Sequence, residues 1–412
     1  MRILFVAPRL PLPADTGAKI RTFNLLKNIA QGNEVTLVSF YFSDDEKSVE
    51  ALRLLGIEVH LVKASERINP FTLFGAFPVA IAKYRSKAMA EKISELVANG
   101  SFDVVHFDHL HMGQYRGCAG TVPSVLDEHN VESIILGRCS LLEKSYLRRL
   151  LFRSQARKMA QFEANTIKNF STCFAVSEND KEGLLKLSAG KAKVEVIPNG
   201  VDTEYFKNEI ALEQGTRSCS TQNRLVSLEN VPVSLVFTGS MDWLPNSEAV
   251  LYFAREILPL IWAKNDTVKF YVVGRNPSKE IVNLGKADAR IVVTGLVPDV
   301  RAYMVGAHVF VVPIRVGGGT RLKILEAMSM GLPIVSTTVG AEGISYTNGK
   351  DIVLSDTPAE FAANVLILLE EDGRCGSLGN AARDLVCRKY DWKALVQRLN
   401  EIYEKVVTDA HK

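Results

Sequence analysis

The chain has 412 residues, of which 47% are hydrophobic and 23% charged, and its formal net charge is +3. That length exceeds what one hydrophobic core usually organises, so two domains are expected, and the composition excludes a disordered chain. So small a net charge gives no reason to expect a nucleic-acid partner. The six cysteines are scattered without a CxxC pair, which suits a reducing compartment and offers no zinc site. Met1 to Pro8 reads as a first strand, not a leader, because Pro8 and Arg9 end its short apolar part. No stretch approaches the roughly 20 apolar residues of a membrane span. The chain is therefore expected in the cytoplasm, or held peripherally at the inner face of a membrane.

The first half alternates strands and helices. Ile3–Ala7 is a buried strand, followed by a proline-rich turn that ends at Gly17. A helix then places Ile20, Phe23, Leu26 and Ala30 on one face. Strands are expected at Glu34–Phe40, Ile57–Val62, Asp103–Phe107 and Ser124–Asp127, with one helix spanning about Ala80 to Ala98. This is the opening of a doubly wound α/β domain, and the turn at Gly17 has no GxGxxG, so a nicotinamide fingerprint is missing. Asp127-Glu128-His129-Asn130 closes one strand, and His106 starts a similar polar cluster on another. Such strand ends are where α/β sheets bind ligands. Ser140–Phe170 reads as a long helix in which Lys144, Arg148, Arg149, Arg153, Arg157 and Lys158 interleave with Leu147, Leu150 and Leu151. It suits either contact with anionic lipid or an ordinary solvated face.

Strands at Thr172–Val176 and Val194–Ile197 complete that domain, and Pro198–Asp202 makes a sharp turn. Asn208–Asn230 is polar and aperiodic and reads as a linker. A second α/β domain begins with the strand Val233–Thr238, which runs into Gly239. A helix of about Pro245 to Ala263 and strands at Val268–Val273 and Arg290–Val293 follow, and three helical segments end the chain. The expected domains are 1–198, joined by the final helix 390–412, and 233–389, with 199–232 as hinge and linker.

The most informative stretch is Val309–Gly343. It reads as a strand, a glycine loop (Gly317, Gly318, Gly319), an N-cap at Thr320, a helix Arg321–Met330 stopped at Gly331, and a strand Pro333–Ser336. A helix start with free N–H groups and a dipole favours an anion, and glycines allow close approach. Arg315, Arg321 and Lys323 add positive charge. Lys323 and Glu326 share one face, and Glu326 can accept hydrogen bonds from ribose hydroxyls. A phosphate over a carboxylate suits a nucleotide; an ordinary βαβ turn is the plain alternative.

The segment GGGTRLKILEAMSMGLPIVST resembles the nucleotide-sugar loop of the retaining glycosyltransferases of family four, in a branch with a glycine-threonine-arginine loop. Glu326 matches the second glutamate of the family's paired glutamates, and Gly318 stands at the first. Pro198–Asp202 is similar to the family's interdomain hinge, and His129 falls where the family carries a histidine near the transferred sugar. The resemblance implies the GT-B fold, two Rossmann-like domains facing across a cleft. It implies hexose transfer from a nucleotide-sugar donor to a glycan or lipid-linked acceptor, with retention and without metal or other cofactor, in envelope or exopolysaccharide assembly. His129 and Glu326 would be catalytic. Gly17, Gly239, Gly318, Gly319, Thr320, Arg321, Lys323 and Glu326 would hold the donor. The family's usual Arg and Lys are replaced by Ser240 and, about where the Lys falls, Pro245. Arg321 then becomes the expected diphosphate cation, with Lys323 engaged by Glu326. A nucleotide-sugar epimerase of the same fold and a non-catalytic nucleotide-sugar-binding subunit are the alternatives.

Overall fold

A computed structural model describes residues 1–42, 46–64, 75, 77–143, 145–207, 233–316 and 319–412. The expected linker Asn208–Asn230, together with Lys144, Gly317 and Gly318, lies outside the described residues. The chain forms two units, Met1–Asn199 with Trp392–Lys412, and Gly200–Asp391.

The first unit is built on seven parallel strands, β1 (Arg2–Ala7), β2 (Glu34–Tyr41), β3 (Ile57–Lys63), β4 (Val104–Asp108), β5 (Ser124–Glu128), β6 (Thr172–Ala175) and β7 (Val194–Val196). Their order is β3-β2-β1-β4-β5-β6-β7. The central strands are buried on both faces, which is why they read as continuous apolar runs and not as alternation. The last helix, Trp392–Ala410, packs Trp392, Leu395, Leu399, Tyr403 and Val406 against the core of this unit, at the spacing of one helix face.

The second unit has six parallel strands, β8 (Ser234–Thr238), β9 (Lys269–Val273), β10 (Ile291–Gly295), β11 (Val309–Val312), β12 (Ile334–Ser336) and β13 (Val353–Leu354), in the order β10-β9-β8-β11-β12-β13. Residues 200–207 of the expected hinge belong to this unit. Val201 N–H donates to Tyr390 O, and Ser329 Oγ donates to Phe206 O. The two parallel-sheet units are the Rossmann-like pair of the GT-B class.

Several elements differ from the sequence reading. The helix expected over 80–98 is two helices, Val79–Ala82 and Lys87–Asn99, because Ser86 caps a new start by accepting from Met89 N–H. The long helix over 140–170 is a hairpin, Glu132–Leu142 and Tyr146–Thr166. The turn between its arms is held by Arg149, whose guanidinium donates to Glu143 O. The helix after β1, Gly17–Ile29, buries Arg21, Thr22, Leu25, Leu26 and Ile29; of the expected face Leu26 is buried and Phe23 and Ala30 pack partly buried against the core, so the inward face is wider than the apolar period and turned toward Arg21. Its inward face includes a cation, which a search for apolar periodicity alone passes over.

Candidate functional site

Both sheets reverse their order at a central pair, β1 beside β4 and β8 beside β11. In doubly wound sheets the crevice at this reversal, beyond the carboxyl ends of the strands, is where ligands sit. Each unit carries a polar cluster there.

In the first unit the loop after β1 and the end of β4 enclose a cavity of about 340 Å³, lined in part by Arg9, Lys19, Thr22, Tyr84, Asp108 and His111. Gly17 opens the helix beside it. Behind this wall lies a closed ionic network. Arg21 donates from Nε and Nη2 to the two oxygens of Asp127, at 2.8 and 2.7 Å, with both side chains fully buried. The same guanidinium holds the carbonyls of Ile197 and Pro198, where the chain leaves β7. His129 Nε2 lies 2.8 Å from Asp108 Oδ1 and 3.5 Å from Asp127 Oδ2, and Thr22 Oγ1 donates to Asp108 Oδ2. Burial works against a charged His129, but Asp108 and Asp127 outweigh it and hold its pKa up to about 9. Both carboxyls stay below the usual range despite burial, Asp108 through His129 and Asp127 through Arg21 and His129. His109, which stacks on His129 at 3.6 Å, is pushed well below its ordinary value by burial and by the neighbouring His129 charge.

Two carboxylates thus face two cations, and the cluster is charge-balanced without an added ion. Asp108, His109 and His129 are near enough to hold a metal by distance. Binding one would first require His129 to lose the proton that both carboxylates favour. With its pKa held near 9, His129 keeps its proton at neutral pH within this network. His106, expected to begin a similar cluster, belongs to the core. It stacks on Phe5, bonds Tyr403 Oη through Nδ1 at 2.6 Å, and is pulled down to about 4 by burial.

In the second unit the helix after the glycine loop runs Leu322–Ser329, and its N-cap is Arg321, not Thr320. Thr320 Oγ1 instead packs so close to Gly343 that a Cβ there would lie 2.9 Å from it. Lys323 points back to the loop after β8. Its Nζ donates to Asn246 Oδ1 at 2.8 Å and lies 3.9 Å from the centre of the Phe237 ring. Gly239, at φ 153°, makes room for it: a Cβ on Gly239 would fall 2.7 Å from Lys323 Nζ. The expected engagement of Lys323 by Glu326 is therefore corrected, since Lys323 directs its hydrogen bond to a neutral amide. Enclosure of the ammonium, with the charge of Arg321, brings Lys323 down to about 7, and enclosure lifts Glu326 to about 7 against the pull of Lys323. Arg315 leaves the expected trio of cations. It bonds Glu248 and stacks 3.6 Å over Tyr252. Gly319 takes φ 78° ahead of the helix, while Gly318 lies outside the described residues.

The sequence reading did not single out Arg21, Asp108 or Asn246 as site residues. Asp108 ends a strand beside the sheet reversal, which is a readable signal. Arg21 and Asn246 gain their meaning only from partners more than 70 residues away.

The family described as Glycosyltransferase Family 4 matches residues 17–205, and Glycosyl transferases group 1 matches residues 232–371. The chain is a family-four-like glycosyltransferase. Among relatives of this glycosyltransferase, a phosphatidyl-myo-inositol mannosyltransferase of Mycobacterium tuberculosis is 25% identical over 351 residues, covering 81% of this chain and 82% of that one. An uncharacterised 44.6 kDa protein in the cps region of Klebsiella pneumoniae is 21% identical over 89% of this chain and 90% of its own. In fold, the glycosyltransferase is similar to sucrose-phosphate synthase of Thermosynechococcus elongatus, with a TM-score of 0.70 at 16% identity, covering 99% of this chain and 100% of that one. It is also similar to Anabaena HepE in complex with UDP, with a TM-score of 0.65 at 15% identity over 98% and 100% of the two chains.

Proposed function

We propose that this glycosyltransferase moves a hexose-type sugar from a nucleotide-sugar donor to an acceptor hydroxyl with retention at the anomeric carbon, without metal, in envelope or exopolysaccharide assembly. The observation that carries the donor half is Lys323. A family-four site normally draws diphosphate cations from the loop after β8, where this chain has Ser240 and Pro245. Lys323 brings an ammonium to that loop from the other side of the sheet reversal, against Gly239 and Asn246. An enclosed ammonium with a pKa near 7 gains most from an arriving diphosphate, which restores its full charge. Glu326, one turn along, is placed to accept from sugar or ribose hydroxyls.

In the reaction the bond from the anomeric carbon to the diphosphate oxygen breaks, the acceptor oxygen bonds that carbon on the same face, and the acceptor proton passes to the departing diphosphate oxygen. Lys323 and Arg321 take up the charge on the departing nucleoside diphosphate, which is the work a metal does elsewhere. His129, as a cation held by Asp108, steadies the Asp108 and His109 side chains that line the first unit's cavity. HepE, with its UDP-glucose complex, and the mycobacterial phosphatidyl-myo-inositol mannosyltransferase support a nucleotide-sugar donor and a glycan or lipid-linked acceptor as substrate classes. The cps-region relative supports the cell-surface setting.

The test is a panel of nucleotide-sugars incubated with the protein in the presence of a chelator, with release of nucleoside diphosphate followed and the linkage of any product read by NMR. Turnover of one donor with the anomeric configuration kept is expected. Inversion, or conversion of the free donor to its epimer, overturns the reading.

A further inference from the structure

The helix Tyr146–Thr166 carries its polarity the wrong way round for a soluble surface. Its inward face is Gln155, Met159, Glu163 and Thr166. Its outward face begins with Tyr146, Leu147, Leu150 and Leu151, of which Leu147 is 77% exposed and Tyr146 70%. At about 100° per residue these four share one stripe, roughly opposite the buried residues. Leu141, at the end of the other arm, is 73% exposed and adds to the same tip. Polar pins fix the hairpin, so the stripe cannot turn inward. Gln155 accepts from Val79 N–H, and Glu163 accepts from the backbone N–H groups of Glu132 and Ser133.

Charge surrounds this tip. Residues 138–158 hold seven basic side chains against the single acid Glu143, in a chain whose net charge is only +3. Arg153 and Arg157 are exposed and follow the leucines along the outward side. Exposed leucines with arginines behind them match the depth profile of a lipid surface, acyl chains first and phosphates next. A second copy of the chain fits poorly, since a two-fold contact would set this basic patch against itself. A nucleic acid would leave the leucines uncovered.

We propose that the tip of the hairpin Glu132–Leu142/Tyr146–Thr166 docks on an anionic lipid surface, with Leu147, Leu150 and Leu151 entering the acyl boundary and Arg153 and Arg157 at the phosphates. This holds whatever sugar the donor site takes.

The test uses the whole protein and sedimentation with vesicles of phosphatidylcholine alone or with added phosphatidylglycerol. Partitioning into the anionic vesicles, weakening as salt rises, is expected. Arg153→Ala and Arg157→Ala should each lower it about fivefold. Leu147→Ser and Leu150→Ser should each lower it about tenfold at every salt concentration. Because all four side chains are exposed, unchanged melting temperatures serve as the folding control. Equal partitioning into both vesicle types, or variants that bind like the parent, overturns the proposal. So does a concentration-dependent dimer lost in Leu147→Ser without vesicle binding, which assigns the tip to a second copy, or RNA binding lost only in the arginine variants.

Discussion

The two sheet reversals place charge in opposite ways. At the reversal in the first unit the charges are paired: Arg21 sits on Asp127, and His129 sits on Asp108. In the second, Lys323 leans on a neutral amide, and its pKa and that of Glu326 converge near 7. A closed network fixes shape, because removing any member strands a buried charge. A site whose cation is enclosed and hydrogen-bonds to a neutral amide is less settled when empty and gains from an anion. With the proposed function, the contrast gives scaffold work to Arg21 and Asp127 and ligand work to Lys323 and Glu326.

The sharpest way to break this contrast is to remove Arg21. Arg21→Ala strands Asp127 and should destabilise the first unit by about 3–5 kcal/mol in urea unfolding. The double replacement Arg21→Met with Asp127→Leu should cost less than either single change. A double variant as damaged as the single ones would place the value of Arg21 elsewhere.

A next effect follows from His129. Its folded pKa near 9 lies above the ordinary 6.5, so it contributes stability that is complete below about pH 6.5 and is lost as pH rises through 9. Up to about 3 kcal/mol should disappear across that window, and His129→Asn should flatten the slope. A parent protein equally stable at pH 6.5 and 9 would contradict a charged His129.

The second unit should answer pH differently. Lys323 must keep its proton, which favours pH below about 7, and Glu326 must lose its own, which favours pH above about 7. The profile of kcat/KM should therefore be a narrow bell centred near neutrality. Glu326→Gln should remove its acid limb. A flat profile from pH 6 to 9 would detach both groups from donor binding. The smallest expected effect is that of a chelator, which should leave turnover unchanged; loss restored by manganese or magnesium would reverse the metal-free assignment.

Most of the fold was legible because parallel strands buried on both faces announce themselves as apolar runs, Ile3–Ala7 and Val309–Val312 above all. The glycine loop and Glu326 were legible from local chemistry. The first-unit network was not. Arg21 interrupts the apolar period of its helix, and its partner Asp127 lies 106 residues away, so neither reveals the other in one dimension. Lys323 was misjudged for a related reason. Three-residue spacing made Glu326 the obvious partner, whereas the glycine at 239 opened a longer reach to Asn246. The hairpin at 143–145 escaped because its turn carries neither glycine nor proline.

Calorimetry of nucleoside diphosphate and bare nucleoside binding to Lys323→Met and the parent tests the central claim most directly. Loss of the charged hydrogen bond should weaken the diphosphate by about 1.5–3 kcal/mol and leave the nucleoside nearly unchanged. Arg321→Ala should follow the same pattern, and Glu326→Ala should weaken the nucleoside as well. Diphosphate bound as tightly by Lys323→Met as by the parent would contradict the account.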